Sequence, residues 1–170
     1  MIGYICLSRE AGGDSDAVDR LIAGIAGRLA AAGVPLGGAV QVNKAGRGGC
    51  AGEMRLSLLG LGEERVISQQ LGAGAGGCRL DSGALELAVA RMADSLPGAR
   101  LVVFNKFGKQ EATGRGVRPL IAEAVERDLP VLLAVSPEVE EAFHDFAGDL
   151  VERLTPETAE DWCHAALALA

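Results

Sequence analysis

The sequence predicts a three-layer α/β fold: a doubly wound, mostly parallel sheet with helices on both faces and a β-hairpin inserted after the second strand. Three observations lead there. Short apolar runs alternate along the chain with stretches whose apolar residues recur at helical spacing. Ala, Leu, Val and Gly are abundant and aromatics make up only 4%, a mix that suits helices packed closely on a sheet better than a β-sandwich. Hydrophobic residues are 49% of 170, enough to bury one core without disulfides or metal. With no repeat and no long linker, one domain over residues 1–170 is expected.

Each element has its own signal. Residues 2–7 (IGYICL) form a short apolar run, expected as a buried strand. A loop rich in Gly and Asp follows. Val18, Leu21, Ile22, Ile25 and Leu29 then recur at helical spacing, and Gly33-Val34-Pro35 stops that helix. Residues 36–42 (LGGAVQV) make the second strand of a βαβ unit. Residues 55–59 and 65–69 are short strand candidates around LGLGEE, the expected hairpin. Beyond the Gly-rich LGAGAGG, Ser82 or Asp81 can cap a helix with the apolar face Leu85, Ala88, Val89, Met92 and Leu96. LVVF at 101–104 is expected as a central buried strand, with NKFGKQEATGRG as the loop after it. A helix through Val117, Leu120, Ile121, Ala124 and Val125 leads to the strand VLLAV at 131–135. Pro137 opens a helix to about Phe146, and 157–168 form the last one.

Charge and composition narrow the function classes. A formal net charge of −7 disfavours general nucleic-acid binding, which draws on counterion release by Lys and Arg. No apolar run reaches the length of a membrane span, and no basic leader precedes the first strand, so a cytoplasmic protein is expected. Cys6, Cys50, Cys78 and Cys163 are scattered without a CxxC pair and need not form disulfides.

In a doubly wound sheet, ligands sit at the carboxyl ends of strands, so two loops carry the functional expectation. The first, SREAGGDS at 8–15, stands between strand and helix where a P-loop reads GxxxxGK[ST]. Gly13 takes the second glycine's place, beside Gly12, and Ser15 matches the magnesium-binding hydroxyl. Ser8 replaces the first glycine, and Asp14 stands where the lysine should be. A unit-charge pair at about 4 Å and an effective dielectric near 20 is worth roughly 4 kcal/mol, so reversing that sign argues against triphosphate bound in the usual pose. The alternative is a turn in which Asp14 or Ser15 caps the helix. The second loop gathers Asn105, Lys106, Gly108, Lys109, Glu111 and Arg115, with Arg118 beyond. It is either a solvated loop or a cationic ligand loop made pliable by Gly108, Gly114 and Gly116.

LVVFNKFGKQE resembles the strand-plus-DEIGKxE segment of small bacterial and archaeal nucleoside-triphosphatases related to the molybdopterin-guanine-dinucleotide biosynthesis adaptor. The hairpin and the helix before LVVF fit the same P-loop NTPase-like layout, over most of the chain. More closely, GCRLD (77–81), NxFGKxE (105–111) and GRG (114–116) resemble a bacterial domain-of-unknown-function family in that neighbourhood. That resemblance implies a link to molybdenum uptake. The departures matter as much. Asn105 and Lys106 stand where those enzymes carry the magnesium-anchoring Asp and the water-activating Glu, so the expected ligand, or its mode of binding, has changed.

Cys78, Arg79 and Asp81 form a second candidate loop: Arg79 reaches an anion, or pairs with Asp81. Cys50 and Cys78 are a redox or soft-metal pair if the fold brings them together, and otherwise inert thiols. Cys6, His144 and Trp162 are expected as packing residues. Three functions remain open. The first is a binding domain for a nucleotide or small oxyanion such as molybdate, without a structural metal site. The second is a magnesium-dependent nucleoside-triphosphatase with a relocated cation. The third is a thiol protein. The expected partner is a small anionic ligand, with magnesium and a nucleotide, or molybdate, as the cofactor, and a homodimer left open.

Overall fold

The computed structural model describes residues 1–6, 15–44, 52–69 and 80–169. It contains a seven-stranded sheet: β1 (Ile2–Cys6), β2 (Leu36–Lys44), β3 (Glu53–Leu58), β4 (Glu63–Val66), β5 (Leu101–Phe107), β6 (Val131–Val135) and β7 (Val151–Leu154). Their order across the sheet is β4-β3-β2-β5-β6-β1-β7. The five strands from β2 to β7 run parallel, and β3 and β4 form an antiparallel hairpin at one edge. β1 and β2, consecutive in the chain, are separated by β5 and β6.

Burial explains this order. LVVF and VLLAV are apolar on both faces and wholly buried, as central parallel strands must be. β4 (EERV) and β7 (VERL) carry charges and lie at the edges, where one face meets water. Among the described residues, six α-helices cover the two faces: α1 (Ser15–Ala31), α2 (Ser82–Met92), α3 (Lys109–Ala112), α4 (Arg118–Glu126), α5 (Glu140–Ala147) and α6 (Ala159–Leu169). One core joins α2, α4 and α5 to the sheet through Leu85, Met92, Ile121 and Phe143. The other joins α1 and α6 through Ile22, Leu29, Trp162 and Cys163. Side chains alternate across the strands, so Tyr4 enters the first core and Ile5 the second.

Several expected boundaries move. The hairpin strands are 53–58 and 63–66, and the turn is only 59–62, because Glu63 and Glu64 pair with Leu58 and Ser57. Asp81, not Ser82, caps α2: its carboxylate accepts from Ala84 N at 3.0 Å. The helix at Pro137 begins as a 3-10 turn over Pro137–Val139 before α5. Strand β7 was not expected at all. The largest change is at β5, which runs through Asn105 and Lys106 to Phe107 instead of ending at Phe104. Phe107 is fully buried and pairs with Val135 after a register irregularity, so the chain stays in the sheet.

Within β2, Gly38 has φ of +91°, and a Cβ there would fall 2.2 Å from the Val103 carbonyl oxygen. Glycine is what lets β2 lie this close to β5.

Candidate functional site

The carboxyl ends of β2, β5 and β6 open into a cavity of about 410 Å³. Its deep part lies between the sheet and α2 and is built from buried Ala39, Leu56, Leu85, Met92 and Phe104. Its mouth is polar: Lys106, Gly108, Lys109, Gln110, Ser136 and Glu138. A crevice of this size at strand ends has the dimensions of a small-molecule site.

Asn105 sits beside this mouth and is buried. Its Oδ1 accepts from Gln41 N at 3.0 Å, and its Nδ2 donates to Asp19 Oδ1 at 2.7 Å. The amide therefore links β2, β5 and α1, the helix that follows the first candidate loop. Such a bridge needs a group that donates at one end and accepts at the other, and the amide of Asn105 does both. It is a poor fit to a magnesium anchor, being neutral with both polar ends engaged. Asp19 is the main residue the sequence expectations missed. Its signal was present: a carboxylate between Val18 and Ile22 on a face that is otherwise apolar.

Glu111 holds the second loop together. It is buried, its Oε2 accepts from Gly108 N at 2.8 Å, and its Oε1 accepts from Val117 N at 3.1 Å. The carboxylate thus fastens the end of β5 to the approach of α4, and charge-assisted bonds of this kind are the stronger class. Gly116 makes the fit possible. Its φ is +60°, and a Cβ would lie 2.1 Å from Glu111 Oε1. Gly116 N in turn donates to Glu86 Oε1 of α2 at 3.0 Å. Arg118 closes the far side, with its guanidinium 4.5 Å from the centre of the Phe146 ring and 3.3 Å from the Glu111 carbonyl oxygen. NxFGKxE and GRG, two separate motifs in the sequence, are one hydrogen-bonded unit in space.

Other expected residues fall as follows. Lys106 and Lys109 line the cavity mouth, and among the described residues neither ammonium has an ion-pair or hydrogen-bond partner. Arg115 is exposed and is not part of the cavity lining. Ser15 begins α1. Asp81 caps α2 and does not reach the cavity lining. Gly12, Gly13, Asp14, Cys50, Cys78 and Arg79 lie outside the described residues. Among the described residues no cluster of three or more His, Cys, Asp or Glu side chains could hold a metal ion, and no helix is long and apolar enough to cross a membrane.

On the other side of β6, Tyr4, Cys6, Glu140 and His144 form a polar group beneath α5. The Tyr4 hydroxyl donates to Glu140 Oε1 at 3.3 Å or meets His144 Nε2 at 3.1 Å. Burial, and next the charge of Glu140, push the Cys6 thiol up to about 11. Burial pushes Cys163, in α6, up to about 12. Neither described thiol is poised as a nucleophile, since the thiolate is the reactive form. Trp162 is largely buried in the α6 core, with Nε1 donating to Glu152 Oε2 at 2.9 Å.

Comparison with known proteins agrees with this layout. The fold is that of the crystal structure of THEP1 from the hyperthermophile Aquifex aeolicus, with a TM-score of 0.56 over 99% of this chain and 98% of that one, at 17% identity. It is an α/β fold of the P-loop NTPase type. The chain is also 40% identical over 136 residues to molybdenum import ATP-binding protein ModC 2 of Bradyrhizobium diazoefficiens. That match takes in 79% of this chain and spans only 15% of the relative's length. A family model described as protein of unknown function (DUF2478) matches residues 10–162, and the chain belongs to that family.

Proposed function

We propose that this chain is a degenerate P-loop-type domain that binds a nucleotide or small oxyanion without hydrolysing it, in a role connected with molybdenum. The observation that carries the reading is the pair of lysines, Lys106 and Lys109, at the carboxyl end of the central strand, neither with a partner among the described residues. Two ammonium groups at the mouth of a crevice attract an anion, and no carboxylate among the described residues neutralises them by contact. Asn105 supports binding over hydrolysis, because a metal-anchoring carboxylate is replaced there by an amide already committed to Asp19 and Gln41. The likeness to a molybdenum import ATP-binding protein supports the connection with molybdenum.

Calorimetric titration with ATP, GTP, molybdate, tungstate and inorganic phosphate tests the reading. At least one should bind in the micromolar to low-millimolar range. Lys106→Ala or Lys109→Ala should weaken that binding by about tenfold, equivalent to about 1.4 kcal/mol. Binding of none, or binding indifferent to both substitutions, would overturn it. Phosphate release from ATP or GTP above that of the Lys109→Ala variant would instead make the domain an enzyme.

A further inference from the structure

The deep part of the cavity asks for something that an inorganic oxyanion does not have. Its lining there is hydrocarbon: Ala39, Leu56, Leu85, Phe104 and the softer Met54 and Met92. Thioether side chains adapt to the shape of an apolar guest. The buried polar side chains at the cavity are already satisfied, Asn105 by Gln41 and Asp19, and Glu111 by Gly108 and Val117. Among the described residues no buried side-chain nitrogen or oxygen lacks a hydrogen-bond partner. A nucleotide held at the mouth would keep its base out of this space, where the base's donors and acceptors would be buried unpaired at a cost. A hydrocarbon body would not. The mouth, by contrast, offers the ammonium groups of Lys106 and Lys109, free of partners among the described residues, with the exposed carboxylate of Glu138 as the opposing charge.

We infer that the cavity is a binding site for an organic phosphate with a hydrocarbon body: the phosphate lies at Lys106 and Lys109, and the alkyl or aryl part lies between β2, β3, β5 and α2. This rests on the anion-binding reading of the second loop and adds to it the class of molecule. The volume of about 410 Å³ accommodates a body much larger than phosphate or molybdate.

The test is calorimetry of the full chain with inorganic phosphate and with butyl, hexyl and octyl phosphate, each below its aggregation concentration. Affinity should rise along the series, by up to about fourfold for each methylene that is buried. Ala39→Leu, which fills the deep part, should weaken octyl phosphate at least tenfold and leave inorganic phosphate unchanged. Should that variant fail to fold, the ligand series with the parent protein decides alone. An affinity that is flat from inorganic to octyl phosphate overturns the inference while leaving the anion site intact. Octanol binding as tightly as octyl phosphate overturns it differently, by removing the anionic head. If no phosphate in the series binds, the inference falls, and the titration with ATP, GTP, molybdate and tungstate decides separately whether the reading beneath it falls as well.

Discussion

Glu111 and Gly116 make the second loop a test of local chemistry at the scale of single residues. Replacing Glu111 by Gln keeps the shape but turns an amide N–H₂ toward one of two backbone donors, Gly108 N or Val117 N. A buried donor left unsatisfied costs about 1–3 kcal/mol, so Glu111→Gln should lower unfolding free energy in urea by about 2 kcal/mol. Gly116→Ala meets both a positive φ and the Glu111 carboxylate, and should cost at least as much. The two described thiols give a pH prediction. Burial holds both above the ordinary thiol range, at about 11 for Cys6 and about 12 for Cys163. A raised folded pKa supplies stability below the unfolded value that is lost as pH rises toward the folded one. Stability should therefore decline from about pH 9 upward. At pH 8, peptide mapping after thiol labelling should find Cys6 and Cys163 protected until denaturant is added; labelling of either in the native protein would contradict their burial. The motif NxFGKxE was legible as a unit in the sequence, but the job of Glu111 was not. One of its donors, Val117, comes from beyond the intervening glycines, and only the folded turn brings it back.

Among the elements, β5 is where chain pattern and structure part most. The apolar run ends at Phe104 because Asn105 and Lys106 are polar, yet both stay in the strand. A polar side chain can remain inside a sheet when neighbouring elements satisfy it, and Asn105 finds Gln41 on β2 and Asp19 on α1. The substitution Asn105→Asp probes that bridge. It would set two carboxylates across the 2.7 Å now spanned by a hydrogen bond, so one of them should hold its proton well above the usual carboxylate range. The variant's deficit against the parent should thus be small near pH 4 and grow to about 2 kcal/mol by pH 7, read from denaturation at both pH values. A deficit independent of pH would mean that the bridge is not electrostatic. Strand β7 escaped notice for a different reason. VERL is four residues with two charges, and only its place beside β1 makes a strand of it. The hairpin and the buried strands 101–104 and 131–135 were legible because their patterns reflect burial itself.

The whole molecule is organised around one sheet with a core on each face, and that makes a prediction about cooperativity. Trp162 reports on the α1/α6 face, while far-UV circular dichroism reports on all helices and strands. If the sheet unfolds as a unit, both signals should share one midpoint in urea. Separate midpoints would divide the chain into independently melting parts.

The strand order carries a further consequence for the way the chain comes together. β1 is the first strand in sequence, yet both of its neighbours are late: Ile2 pairs with Val131 of β6 and with Val151 of β7. The β2–β3–β4 meander closes through local contacts, whereas β1 must wait for residues far downstream, and such distant pairings are slow to form. During synthesis on the ribosome, IGYIC is an apolar ribbon without a mate until most of the chain has emerged. An unpaired apolar strand is prone to aggregation, and that interval is when this one is most exposed to it.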